Sequence, residues 1–476
     1  MLVGRTKEQG TLRDAYADDR SHFIAIYGRR RVGKTYLIRE TFADDFVFMH
    51  SGLADASKTQ QLNNFCESLK EFGLDINQKP KNWMEAFSLL KQLIKQSEKE
   101  RKLIFIDELS WMDTTNCDLM TALEGFWNGW ASARKDIVLI VCASATSWML
   151  HKVIHNKGGL YNRLTDKIKL EPFNLHECEE FLKAKNIVME RHDILEAYMI
   201  MGGIPFYWEQ FKKGNSLAQN IDQMFFAENP ILENEFDYLY ASLFKKPNDY
   251  IAIVTALSTK KIGMSQGELA SATGIVQSGS LSRKIDELES CGFVRKYHEF
   301  GKKKRGTTIQ LIDNFTLFYF CFLHNGDHDH RYWSHNIGTA ERRTWSGLAF
   351  ERVCLQHLPQ ILDALGISGV STDACSWRCK ANPEEGINGS QIDLLIVRRD
   401  RVVNLCEMKF SESEYAVSKA YEENLRHKIN DFINVSKTRY SIHMTLITTY
   451  GLKHNMYSGR IQSLITANDL FKATRR

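Results

Sequence analysis

Eight consecutive residues, Gly28-Arg29-Arg30-Arg31-Val32-Gly33-Lys34-Thr35, bring together the groups that bind a phosphate. The two glycines let backbone N–H groups approach an anion closely, Lys34 supplies a compact positive charge, and the Thr35 hydroxyl suits Mg2+. An apolar run, residues 23–27, precedes the loop, and a helical pattern, residues 36–42, follows it. A phosphate held there would meet the positive end of a helix. The ligand implied is ATP, held by Gly28, Arg29, Arg30, Arg31, Val32, Gly33, Lys34 and Thr35, with Lys34 on the β- and γ-phosphates. The alternative is a glycine-rich turn that binds nothing.

Further along, the apolar run 103–106 ends in Asp107 and Glu108. Ligands in open α/β sheets bind at such strand ends. Asp107 would hold Mg2+ together with Thr35, and Glu108 is the natural base for an attacking water. Ser144 follows the run 137–142 and would either sense the γ-phosphate or cap a turn. Arg163 precedes the run 167–170. It would reach the γ-phosphate of its own subunit or of a neighbour in a homo-oligomer, or else form a surface salt bridge.

A second set of acids lies near the other end. Asp393 sits in one strand-like run, and Glu407 and Lys409 in the next. The period of two puts Glu407 and Lys409 on one face, and two successive strands can bring Asp393 beside them. Two carboxylates and a lysine can hold Mg2+ and orient a water for attack on a phosphodiester, with Glu351, on a preceding helix, as a further metal ligand. The plainer reading is a strand-surface ion pair, worth at most about 1 kcal/mol. Lys419 and Lys428 on the helix that follows could bind phosphate, but solvated side chains are the favoured reading.

The elements that must position these residues can be read from apolar periodicity. Over residues 1–172, strand-length runs at 23–27, 46–50, 103–106, 137–142 and 167–170 alternate with helical stretches such as 58–72 and 83–96. That alternation predicts an α/β fold with a mostly parallel sheet covered on both faces. Residues 173–245 read as helices, interrupted by Gly202-Gly203-Ile204-Pro205. Residues 246–323 give three helices and a hairpin, the order of a winged helix-turn-helix. Its hairpin tip carries Lys302, Lys303, Lys304 and Arg305, and its third helix carries Ser278, Ser280, Ser282, Arg283 and Lys284. Such charges suit DNA phosphates, and the alternative is a solvated loop on a domain used for protein contacts. Residues 324–340 look like a polar linker; His324, His328, His330 and His335 fit no zinc spacing. Residues 341–476 read as a small α/β unit with strands at 392–398, 402–407 and 444–449 and long helices at 341–358 and 416–436.

Composition sets the limits. Lys plus Arg is 62 and Asp plus Glu 58 in 476 residues, too even a balance to imply a nucleic-acid partner without local clusters. The ten cysteines lack a CxxC pair and read as thiols of a reducing compartment. No run approaches the length of a membrane span and the first residues form no apolar signal core, so a cytoplasmic protein without a membrane partner is expected.

The segments YGRRRVGKT, IFIDE, LYNRLTDKIKLEPF and GGIPFYW together resemble the archaeal-type ATPases of the AAA+/STAND group, over residues 1 to about 240. The resemblance implies a P-loop ATPase core with a helical lid. By that pattern Gly203 and Pro205 belong to a lid segment near the nucleotide, and Arg163 matches an arginine-finger position. The last part resembles the PD-(D/E)XK nuclease fold, in the restriction-endonuclease class, as it occurs after such ATPases. Asp393, Glu407 and Lys409 match its D…E-x-K motif and Glu351 its upstream helical acid, while Ile392 stands where the motif has proline. The expected protein is an ATP-driven machine acting on DNA or RNA, with ATP and Mg2+ as ligands. A signalling switch with an inactive nuclease fold and an ATP-controlled DNA-binding regulator are its rivals.

Overall fold

The strand β1 (His22–Tyr27) buries Phe23, Ile24, Ala25 and Ile26 on both of its faces. A strand with no polar face needs a cover on each side, which is the condition of a parallel sheet flanked by helices. In this computed structural model β1 joins β2 (Phe46–Ser51), β3 (Lys102–Asp107), β4 (Ile137–Ala143) and β5 (Asp166–Lys169) in one parallel sheet, ordered β2-β3-β4-β1-β5. The structure describes all residues except 1, 44, 157, 245, 303–306, 325, 327, 328, 386 and 474–476, and side chain 385. The helix Trp83–Gln96 shows how its cover is specified. Asn82 caps it by accepting from the Glu85 N–H, and Trp83, Ala86, Phe87, Leu90, Leu93 and Ile94 form one buried stripe at helical spacing. Because β4 lies between β1 and β3, the loop after β1 and the ends of β3 and β4 meet at one edge of the sheet.

This sheet belongs to the first of two compact units, residues 1–172; the second spans 173–476. In the second, helices from Leu175–Ala184 to Glu235–Leu243 lead into Pro247–Ser258, Gln266–Thr273 and Gly279–Ser290. A hairpin follows, β6 (Val294–Tyr297) against β7 (Thr308–Leu311), and Met264 adds a bridge to Ile309. Leu281, Ile285 and Leu288 of the third helix are buried beneath it. These elements are three helices followed by a two-stranded hairpin.

Within the stretch read as a polar linker, the helix Tyr332–His335 is packed in place. Trp333 is fully buried among Phe318, Phe322 and Trp345, its backbone N–H donates to Asp222 at 2.8 Å, and the Arg342 guanidinium lies 4.1 Å from its ring centre. A polar composition hid one anchoring aromatic. His328 and Asp327 fall outside the described residues.

The helix Ala340–Gln356 then leads to a mixed sheet of β8 (Thr372–Cys379), β9 (Ser390–Arg398), β10 (Val402–Lys409), β12 (Ser441–Thr448) and β14 (Ser463–Thr466). Its order is β14-β12-β10-β9-β8, and the short strands β11 (Tyr415–Ala416) and β13 (Leu452–Lys453) pair apart from it. β8, β9 and β10 run antiparallel, whereas β10, β12 and β14 run parallel. The helix Lys419–Ser436 makes the crossover that the parallel pair requires. The two outer strands, β8 and β14, were not expected from the sequence, because edge strands carry weak apolar patterns.

Candidate functional site

At the edge shared by β1, β3 and β4, the glycines of the loop are fixed by geometry. Gly28 has φ 150°, and a Cβ there would sit 2.3 Å from the Leu170 carbonyl oxygen. Gly33, at φ 91°, begins the helix Lys34–Phe42. Val32 anchors the loop in the core, Arg29 is buried, and Arg30 and Arg31 are half-buried.

Lys34 is buried, and its ammonium donates to the Gly28 and Arg29 carbonyls, each at 3.0 Å, and to the Ser144 hydroxyl at 3.1 Å. Thr35 Oγ1 donates to Asp107 Oδ2 at 2.5 Å, and Asp107 Oδ1 accepts the Glu108 N–H at 2.9 Å. Glu108 has φ 46°, a left-handed backbone that turns its carboxylate toward β4. There Oε2 accepts the Ser144 N–H at 3.1 Å and Oε1 accepts the Ser144 hydroxyl. Loop cation, hydroxyl, two acids and strand-end serine thus form one connected set. Arg163 stays exposed on the segment before β5, outside that set. Gly52, which no sequence motif singles out, lets β2 come close: its N–H donates to the Asp107 carbonyl at 3.0 Å, and a Cβ would lie 2.7 Å from the Glu108 carbonyl oxygen.

In the second unit, β9 and β10 pair up to Cys406 opposite Leu394, so one more step in register sets Glu407 opposite Asp393. Their side chains have different partners. Asp393, a third exposed, accepts from Gln391 Nε2 at 2.6 Å and lies 3.9 Å from the Lys261 ammonium. The same ammonium is 2.8 Å from Glu351. Burial holds the Glu351 carboxyl above the usual range, the charge of Asp393 adds to that, and Lys261 opposes it. Glu407 is buried and accepts from Lys428 Nζ and from the Tyr421 hydroxyl at 3.1 Å. Lys409 lies 4.8 Å from the centre of the Tyr421 ring, so it shares a face with Glu407 as strand period requires. Burial and then the Glu407 charge push the Tyr421 hydroxyl far up.

Lys428, expected to be solvated, is instead the partner of Glu407, whereas Lys419 is exposed as expected. Among the described residues, no group of three or more His, Cys, Asp or Glu side chains is arranged to hold a metal ion. Lys261, Tyr421 and Lys428 were missed as site residues because only the fold brings them there.

Around the three helices and the hairpin, Ser278 caps the third helix, Lys284 turns to Ser280 and Asp249, and Lys302 pairs with Glu299. Lys303, Lys304 and Arg305 fall outside the described residues. Gly203 and Pro205 shape the chain locally: a Cβ on Gly203 would strike the Phe173 carbonyl, and Pro205 starts the helix Pro205–Glu209. Among the described residues, no helix is long and apolar enough to cross a membrane.

Residues 2–211 match a family model described as an ATPase domain predominantly from Archaea. The uncharacterized protein MJECL04 of Methanocaldococcus jannaschii is 26% identical over 326 residues, 68% of this chain and 69% of the relative. Among solved structures, the Walker-type ATPase PABY2304 of Pyrococcus abyssi has a TM-score of 0.47 at 14% identity, covering 66% of this chain and 95% of its own. The ORC2 protein of Aeropyrum pernix, in ADPNP–ADP complexes, has a TM-score of 0.43 at 15% identity, over 66% of this chain and 91% of its own. The family match and the connected loop–carboxylate set together support an ATPase domain of the archaeal type within residues 2–211.

Proposed function

We propose that this chain hydrolyses Mg2+-ATP at the edge of its parallel sheet and uses the cycle to act on nucleic acid. The observation that carries the first half is the bonded set Lys34, Thr35, Asp107, Glu108 and Ser144. Loop N–H groups and Lys34 bind the β- and γ-phosphates. Thr35 and Asp107 offer adjacent hard oxygen donors, which fit Mg2+. Mg2+ bound there neutralises phosphate charge. Glu108 acts as general base: its carboxylate exchanges Ser144 for a water and takes that water's proton as the γ-phosphate is attacked. Ser144, released from Glu108, stays within reach of Lys34 and of the γ-phosphate. Arg163, being exposed, suits a γ-phosphate contact from its own or a neighbouring subunit.

For the second half, the winged-helix order supports contact with DNA phosphates, through Lys302 to Arg305 and the third helix. The mixed sheet supports a PD-(D/E)XK-like nuclease unit. An active nuclease would need Glu351, Asp393 and Glu407 to leave their present partners and converge on a divalent ion, with Lys409 free to stabilise charge on the scissile phosphate. The donors are hard oxygen, but as placed they do not fit a divalent ion: Lys261 lies against Glu351 and Asp393, and Glu407 is held by Lys428 and Tyr421. A switch with an inactive nuclease fold is the second reading, favoured by the engagement of Glu407 with Lys428 and Tyr421. Cleavage assays on single-stranded, duplex and structured DNA and RNA, with Mg2+ or Mn2+ and with or without ATP, separate the two. Metal-dependent cleavage lost in Asp393→Ala supports the nuclease. Its absence on every substrate supports the switch.

A further inference from the structure

The helix Lys58–Glu71 opens on a capping box made by Ser57 and Gln60. Gln61 is the polar member of its buried face, beside Leu62, Phe65, Cys66 and Leu69, and is fully buried. A buried amide costs stability unless it is hydrogen-bonded. Here the oxygen and both N–H groups are engaged. Gln61 Oε1 accepts the Leu53 N–H at 3.1 Å, and Nε2 donates to the Leu53 carbonyl at 2.6 Å and to the Trp111 carbonyl at 3.0 Å. Turning the amide over would set its oxygen against two carbonyl oxygens, so one orientation alone fits. The side chain therefore joins the loop after β2 to the turn after β3.

That turn carries Glu108. At φ 46° and ψ 44° its backbone is left-handed, a conformation strained for any residue with a side chain. The helix that follows, Leu109–Met112, is a single turn, too short to hold its own shape. Neighbours must therefore fix the direction of the carboxylate. Within the turn, the Trp111 N–H donates to the Glu108 carbonyl at 2.9 Å. From outside, Gly52 lies against it, where a Cβ would sit 2.7 Å from the Glu108 carbonyl oxygen and 2.9 Å from Met112 Cγ. Gln61 then holds the Trp111 carbonyl. Asn64, one helical turn further along, donates to the Ser51 carbonyl at 2.9 Å and ties the end of β2 to the same helix.

We propose that Gln61 is a positioning residue for ATP hydrolysis: through the Leu53 backbone and the Trp111 carbonyl it fixes the turn that aims the Glu108 carboxylate at the attacking water. The inference rests on the reading of Glu108 as general base. The Gln61 amide is engaged with backbone groups of Leu53 and Trp111, so it acts through Glu108 and touches no reacting atom. Without it both carbonyls lose a donor, and the strained turn is free to relax. A shift of about 1 Å in a reacting group is enough to cost roughly 10²-fold in rate. The bonds of Lys34 and Thr35 do not pass through Gln61, so nucleotide binding is left in place.

The test is a double-mutant cycle in the full chain: parent, Gln61→Met, Glu108→Gln and the two combined. ATP affinity is read by calorimetry and the chemical step by single-turnover hydrolysis with Mg2+. Gln61→Met should keep near-parental affinity and slow turnover by roughly tenfold to 10²-fold, the split that marks a group acting in the transition state alone. Added to Glu108→Gln it should slow nothing further, because no base remains to misplace. Gly52→Ala pushes on the same turn with a Cβ instead of removing a bond. It should repeat both results, and it carries the test if Gln61→Met does not fold. Parental turnover in these variants overturns the proposal, as does a loss of ATP affinity that matches the loss of rate. Slowing as large in the Glu108→Gln background as in the parent also overturns it, and leaves Glu108 standing as the base. Parental turnover in Glu108→Gln itself removes the base, and the positioning role with it.

Discussion

The two carboxylate sites differ in how their charges are arranged. In the first unit, Asp107 and Glu108 are bonded to Thr35 and Ser144, and Lys34 joins them through Ser144, so a single network links loop and strand ends. In the second, Asp393 and Glu407 lie one step beyond the last paired residues of β9 and β10 and are bound to separate cations, Lys261 and Lys428. The first is organised around a place for phosphate. The second has its charges already balanced from within. A set of acids becomes a ligand site only where the fold leaves their charge for a ligand to balance.

This contrast sets the order of expected effects. Lys34→Ala removes the ammonium at the centre of the network, and none of the loop arginines is placed by the fold to replace it. ATP affinity should fall by about 10²-fold or more, since losing one partner of a buried charged pair costs several kcal/mol. Unchanged affinity by calorimetry would break the first half of the comparison.

Lys428→Met strikes the second site. It leaves the buried Glu407 without its cation, which should cost about 3 kcal/mol in denaturant titration, the usual scale for an orphaned buried charge. A loss below about 1 kcal/mol would show that Tyr421 alone satisfies Glu407. The nucleotide site should still bind ATP in that variant.

Acid should weaken both units through buried histidines. Burial drops His50 to about 3, and burial drops His357 to about 4 although its bond to the Val353 carbonyl opposes this. Both lie below the ordinary value near 6.5. The unfolded chain therefore takes up protons that the folded chain does not between that value and about 4. Their stability contribution is complete above about pH 6.5 and declines as pH falls. His357 Nε2 accepts the Leu175 N–H at 3.0 Å, so protonation opposes a donor with a donor. His357→Gln should flatten the pH dependence of the melting temperature on the acid side, and an unaltered profile would remove His357 from this account.

The smallest effect concerns the wing. Replacing Lys302, Lys303, Lys304 and Arg305 with Ala should weaken DNA binding evenly across sequences. It should also flatten the salt dependence by about 0.9 for each phosphate that the wing no longer neutralises. An unchanged slope would turn the wing away from nucleic acid.

What the sequence made legible was what lies contiguously in it. The loop 28–35, the acids closing β3 and Ser144 after β4 could be read because each follows a buried apolar strand. The position of β4 between β1 and β3 could not, although it is what brings Ser144 to Lys34. Gly52, Lys261, Tyr421 and Lys428 carry no local signal; their roles arise from contacts across the fold. The polar composition of residues 324–340 gave no sign that Trp333 would be buried and bonded to Asp222. In the second site, register could be inferred from strand period, but which cation each acid would meet could not.

The most direct test of the central claim is ATP binding and single-turnover hydrolysis by Glu108→Gln beside the parent, with Mg2+. The account predicts that the variant binds ATP with near-parental affinity and turns it over roughly 10²-fold or more slowly, the scale of a lost general base. Turnover at the parental rate, with ATP bound, would contradict it and place the base elsewhere.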